Sequence, residues 1–254
     1  RGASGRYWDR LAEVAGGFAG VAPDLLGFGR SPKPAASSYS VDEHLDALAP
    51  LLEAPTVVVG HSTGAILAGA LAARERERVA ALLLMGLPAF GDEATARAEI
   101  GRLGLLARLT VEGSDIARLV CQAMCLLRPL AVTLGPLVIR DLPPAVVADG
   151  ARHTWPSYSR TLDRVVVGHR PLPDLVDAGV PTVVAHGRRD LVAPVALAEA
   201  LVAAARQRGA PVELRLLEGD HHLAVRRPEA LAAVLRQLRS PSGTGDGEGG
   251  PSRR

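Results

Sequence analysis

Two kinds of apolar run alternate along this chain. Short, continuous, buried-type runs read as strands: Thr56-Val57-Val58-Val59, Val79 to Met85 and Val180 to His186, with Val212 to Leu217 alternating as a last one. Between them lie longer Ala- and Leu-rich stretches of helical character, Ile66 to Arg74 and Pro194 to Arg208. A closing helix runs to about Leu238 with Pro228 in its first turn, where proline is well tolerated. At the front, Arg6 to Val14 reads as a short amphipathic helix stopped by Gly16-Gly17, and a strand is expected over Phe18 to Ala22. The Gly- and Pro-punctuated segment Asp24 to Pro32 is then a loop. Ser40 and Glu43 fit a capping box for a helix through about Leu52.

Strands alternating with helices imply an α/β protein with a parallel sheet and helical crossovers. The rhythm changes between Gly86 and about Leu175, where helical segments are broken by Gly135-Pro136 and Pro143-Pro144. That stretch reads as a helical cap inserted into the sheet domain. The expected division is a discontinuous core over residues 1–87 and 176–239, a cap over 88–175 and a disordered Gly/Ser/Pro-rich tail over 240–254.

Composition narrows the picture. With 254 residues and 48% hydrophobic content the chain can bury a large core. A net charge of +2, with no dense Lys/Arg block and aromatics at 3%, leaves neither a charged track nor stacking platforms for nucleic acid. No apolar run approaches the roughly 20 residues of a membrane span, and no signal-peptide pattern opens the chain, so neither nucleic acid nor membrane is expected as a partner and the location expected is cytoplasmic. Cys121 and Cys125 lie in an apolar helical stretch and read as small buried hydrophobes. No His or further Cys stands at ligand spacing from them, so no metal and no cofactor is expected.

The chemistry begins at Gly60-His61-Ser62-Thr63-Gly64, where a β-branched run meets a helical one. A serine that attacks a carbonyl needs its Oγ clear of the backbone, and a sharp strand-to-helix turn achieves this at strained φ/ψ. Flanking glycines leave room for the turn. The helix that follows points its N–H groups and positive dipole end at the reacting centre, so the Thr63 N–H is a candidate oxyanion donor. Serine also needs a base and a group that orients it. Loops at the carboxyl ends of parallel strands converge on one crevice. Two of them supply candidates: Gly187-Arg188-Arg189-Asp190, and Gly219-Asp220-His221-His222.

These pieces together resemble the α/β-hydrolase superfamily, in particular its cap-bearing esterases, epoxide hydrolases and C–C hydrolases. The matching segments are DLLGFGRS from Asp24, the elbow GHSTG, HGRRDLVAP around Asp190 and EGDHHLAVRRPEAL around the histidines. The resemblance implies an α/β-hydrolase fold, with Ser62 as nucleophile, Asp190 of its G-x-x-D spacing as acid and a histidine of the last loop as base. The order Ser, Asp, His agrees. Pro228 lies seven residues after His221 and six after His222, and the family spacing selects His221, leaving His222 facing cap or solvent. Asp92 and Glu93 are rival acids; Asp174 and Asp177 should be solvated, and Asp24 should brace its loop. His61 should pack or bond locally, His186 should end a strand in the core, and His44, His153 and His169 should lie on the surface or cap. A serine nucleophile excludes the aspartyl-ester chemistry of dehalogenases and epoxide hydrolases.

Relatives of this kind carry a strand and a His-Gly pair ahead of the first helix here, and the chain opens with Arg1. It is therefore expected to be an N-terminally truncated fragment lacking the first strands, with Arg1 near the place of the second oxyanion donor. The function expected is a serine hydrolase cleaving an ester or related acyl bond through an acyl-enzyme, its substrate a small molecule with an apolar acyl group. The alternatives are a non-catalytic or degenerate ligand-binding protein, or an acyltransferase on the same fold.

Overall fold

The computed structural model describes residues 4–17, 19–139 and 142–239. A 3₁₀ turn, Gly5–Trp8, leads into α1 (Asp9–Ala15), which ends at Gly16 with φ 51°. Helix α2 (Val41–Leu48) continues as a 3₁₀ turn to Leu51. Then come β1 (Thr56–His61), α3 (Thr63–Arg74) and β2 (Val79–Met85). Seven helices follow: α4 (Glu93–Arg102), α5 (Leu105–Val111), α6 (Asp115–Leu126), α7 (Arg128–Val138), α8 (Pro144–Gly150), α9 (Trp155–Thr161) and α10 (Pro171–Ala178), with a π-helical turn at Leu162–Val167. The chain closes with β3 (Thr182–Gly187), α11 (Val195–Gln207), β4 (Val212–Leu217), α12 (Leu223–Arg226) and α13 (Pro228–Arg239).

The four strands pair in parallel in the order β1-β2-β3-β4. Alternation along β2 builds two cores. Leu82 and Leu84 face one, with Ile66, Leu67 and Leu71 of α3, Leu175 of α10 and Val202 of α11; Leu83 and Met85 face the other, with Leu11 of α1 and Leu231 and Leu235 of α13. The sheet thus lies between two helical layers, which is why its central strands read as unbroken apolar runs.

Two expectations change. The strand expected over Phe18 to Ala22 does not form: residues 19–25 enter no strand, Val21 is 75% exposed, and Phe18 lies outside the described residues. Among the described residues β1 pairs only with β2, so this extended segment has no ladder to join. The capping box is half made. Ser40 Oγ accepts from the Glu43 N–H at 3.3 Å, but the Glu43 carboxylate accepts instead from the Ser37 hydroxyl, from the Ser38 N–H and hydroxyl, and from the Tyr39 N–H. Those bonds, the Ser37 hydroxyl first, pull its pKa down to about 2.

Between β2 and β3 every regular element among the described residues is helical. Arg160 of α9 donates to the backbone oxygens of Ala35 and Ser37, and Thr161 meets His44 at 3.2 Å, so the end of α9 is fixed to the sheet domain. Helices α6 and α7 carry exposed Ile116, Leu119, Leu126, Leu130 and Leu137. Among the described residues no single helix is long and apolar enough to cross a membrane; α6 with α7 up to Leu137 passes that test only as a pair bent by 77°. The tail at 240–254, Arg1 and the site of a second oxyanion donor lie outside the described residues.

Candidate active site

Ser62 sits between the last residue of β1 and the first of α3 at φ 54°, ψ −123°, a conformation costing a non-glycine residue on the order of 1–3 kcal/mol. The turn is held from both sides: the Ser62 N–H donates to Met85 O at 2.9 Å, and the Ser62 carbonyl accepts from the Ala65 N–H at 2.8 Å. The N–H groups of Thr63 and Gly64 precede that first helical bond and lie at the positive end of α3. Only one flanking glycine is sterically required. A Cβ on Gly60 would meet Gly64 O at 2.4 Å and Ala65 Cα at 2.7 Å, whereas a Cβ on Gly64 would meet nothing within 4 Å.

The loops after β3 and β4 bring Asp190 and His221 together. His221 Nδ1 lies 2.8 Å from Asp190 Oδ2, with both residues buried. Asp190 Oδ1 accepts from the N–H groups of Val192 and Ala193, each at 2.9 Å. Burial pushes the Asp190 pKa up, but His221 and these two N–H groups outweigh it and hold the carboxyl below its ordinary value. Its ionised oxygens keep the proton on His221 Nδ1 and leave Nε2 as the free nitrogen. The two loops are stitched by the N–H of Arg188 to Leu217 O and of Arg189 to Gly219 O.

Gly86, directly after β2, is the residue that sequence reasoning missed. It has φ +51°, and a Cβ there would come within 2.8 Å of the His221 ring and 3.3 Å of Asp190 Oδ2. Its neighbour Met85 accepts from Ser62, so the end of β2 touches both the elbow and the base. A glycine ending a buried strand was the visible signal.

Other assignments divide. Asp92 caps α4 by accepting from the Thr95 N–H at 2.8 Å, and Glu93 is exposed, so neither replaces Asp190 beside His221. Asp24 braces its loop, accepting from the N–H groups of Gly5 and Arg30, each at 2.7 Å. His186 ends β3, buried, 3.8 Å from Asp190 Oδ2, and burial lowers its pKa. Two expectations are corrected. Asp174 is not solvated but pairs with His169 at 2.6 Å. His44 is not on the surface: it is fully buried in α2, and burial brings its pKa down to about 4. His222 is partly exposed, its ring packing edge-on to Tyr7 and His221 with Nδ1 buried. His61 packs against the Tyr7 ring, and its Nε2 lies 2.8 Å from His221 O. Cys121 is buried and Cys125 partly so, both against His153. Among the described residues no group of three or more His, Cys, Asp or Glu side chains is placed to hold a metal ion.

Comparison with known proteins agrees with this fold. Residues 1–234 match the model of the alpha/beta hydrolase family. The lipase LipV of Mycobacterium tuberculosis is 31% identical over 261 residues, covering 93% of this chain and 89% of the relative. The probable lysophospholipase BODYGUARD 5 of Arabidopsis thaliana is 30% identical over 241 residues, covering 85% of this chain; the match spans 53% of that longer protein, about half its length. Among solved structures, a thermophilic esterase from Thermogutta terrifontis superposes with a TM-score of 0.63 at 22% identity, over 93% of this chain and 85% of the other. The chain therefore belongs to the alpha/beta hydrolase family and is an α/β-fold hydrolase.

Proposed function

We propose that the protein is a serine hydrolase that cleaves an ester or related acyl bond through an acyl-enzyme. The observation that carries this reading is the Asp190-His221 contact of 2.8 Å, together with a serine held at φ 54° on a helix N-terminus. Ser62 Oγ attacks the acyl carbon while His221 Nε2 takes its proton. The Thr63 N–H stabilises the oxyanion, and His221 returns the proton to the leaving group. Water, activated by the same imidazole, then releases the acid. Asp190 remains ionised and fixes the tautomer of His221.

The substrate class is read from exposed apolar side chains beside Asp190 and on the helices between β2 and β3. Leu191 and Val192, next to Asp190, and Leu105, Leu119, Met124 and Leu130 of the helical insertion are exposed, which suits an apolar acyl chain better than a charged one. The names of the lipase and lysophospholipase relatives support a lipid or other small ester in the same direction. We read residues 88–175 as a cap over this site, in a cytoplasmic protein.

A fluorophosphonate probe and a short p-nitrophenyl ester test the proposal together. Wild-type protein should be labelled and turn over the ester; Ser62→Ala should lose the label and at least about 10³-fold in kcat. Activity within tenfold of wild type in Ser62→Ala would place the nucleophile elsewhere. Labelling without turnover would favour a ligand-binding protein, and faster product formation with an added alcohol than with water alone would favour an acyltransferase.

A further inference from the structure

His61 stands between the nucleophile and the base. It is covalently next to Ser62, yet its Nε2 lies 2.8 Å from the main-chain oxygen of His221, 160 residues away. Burial, and then the nearby His221, pull its pKa well below the ordinary value, so the ring is neutral and carries a single N–H. A carbonyl oxygen only accepts, so that proton sits on Nε2. Two rings fix its plane: Tyr7 stacks on it at 4.6 Å and 20°, and the His221 ring lies 4.6 Å away at 52°. Tyr7 is itself almost fully buried, at 2% exposure.

We infer that His61 is a positioning residue for acyl transfer, its Nε2–H latching the base loop onto the nucleophile elbow through the His221 carbonyl. The inference rests on the triad reading above. Asp190 holds the His221 ring through Nδ1, and Arg188 and Arg189 hold the loop at Leu217 and Gly219, which leaves the main chain of His221 itself free to swing. A second hold on the backbone of the same residue removes that freedom. Because the hold comes from the neighbour of Ser62, a movement of the elbow carries the base with it. The spacing between Ser62 Oγ and His221 Nε2 is thereby set by one short stretch of chain.

Three proteins test the latch: wild type, His61→Phe, which keeps a ring against Tyr7 but has no donor, and His61→Gln, whose side-chain N–H reaches a similar distance. In His61→Phe, kcat should fall about 10- to 100-fold with KM within about twofold. His61→Gln should stay within about threefold of wild type, since it keeps the hydrogen bond. Amide hydrogen exchange over residues 219–223 should quicken about tenfold in His61→Phe and not in His61→Gln, the equivalent of losing about 1.4 kcal/mol of local stability. Should His61→Phe fail to fold, His61→Asn, too short to reach the carbonyl, takes its place. Wild-type kcat in the donor-less variant, or a His61→Gln protein as impaired as it, overturns the inference. A wild-type protein that neither hydrolyses the ester nor takes the probe defeats the hydrolase reading instead. The exchange measurement still decides the latch in that case: unchanged exchange in the donor-less variant refutes it.

Discussion

Gly86 and the two adjacent histidines carry the sharpest tests at the scale of single residues. Gly86→Ala would place a methyl group against the His221 ring and force an alanine to φ +51°, a backbone cost of about 1–2 kcal/mol before any clash. Displacement of the base should lower kcat/KM for a p-nitrophenyl ester at least about tenfold, since small misplacements of reacting groups are costly. Activity equal to wild type would mean that His221 moves without consequence. His221→Ala should lose about 10³-fold or more in kcat, whereas His222→Ala should stay within about tenfold, because only His221 touches Asp190. The reverse ranking would make His222 the base. The Pro228 spacing favours His221 of these neighbours; the place of Gly86 beside the base depends on a ring that arrives from 135 residues further along the chain.

The elbow shows how elements constrain one another. Strand β1 and helix α3 approach so closely at Gly60 that a Cβ would sit 2.4 Å from the Gly64 carbonyl and 2.7 Å from Ala65 Cα, and main-chain atoms cannot step aside. Gly60→Ala should therefore yield little folded protein. Gly64, in the first turn of α3, has open space at its Cβ position. Gly64→Ala should fold and be more stable by about 0.5–1 kcal/mol in a thermal melt, the usual gain of alanine over glycine in a helix. Equal behaviour of the two variants would contradict the packing described. From the pentapeptide alone the two glycines are equivalent; the asymmetry comes from the crossing of strand and helix.

Across the whole molecule, histidine burial sets the response to acid. Burial lowers the pKa of His44, His61, His153, His186 and His222, five of the seven histidines. A depressed histidine pKa means that the unfolded chain takes the proton first. Stability is then complete above pH 6.5 and is lost as the pH falls below it. His44, fully buried and brought from 6.5 to about 4, accounts for on the order of 3 kcal/mol of that loss at about 1.4 kcal/mol per unit. Asp190 adds nothing in this window, because its pKa lies below 3.8. The urea midpoint should fall markedly between pH 7.5 and 5, and less steeply in His44→Gln. A midpoint unchanged over that range would show that these rings are hydrated.

Much of the architecture was legible in the chain because it is written locally. Continuous apolar runs marked β1 to β3 and an alternating one marked β4, a change of rhythm marked the helices between β2 and β3, and the elbow, G-x-x-D and histidine-loop spacings singled out Ser62, Asp190 and His221 as candidates. These signals depend on residues close in sequence, where side-chain period and backbone preference act directly. What the sequence could not decide involves contacts between distant segments. A strand was expected over Phe18 to Ala22, but the described residues of that segment have no ladder to join, since strand pairing depends on a neighbour that composition cannot supply. His44 is buried where α2 meets Thr161 of α9, 117 residues further along the chain. The hold of His61 on the His221 loop, and the space at Gly86 for the His221 ring, exist only once the ends of β1, β2, β3 and β4 lie side by side. Parallel pairing brings those ends together, and no spacing along the chain encodes which side chains then meet.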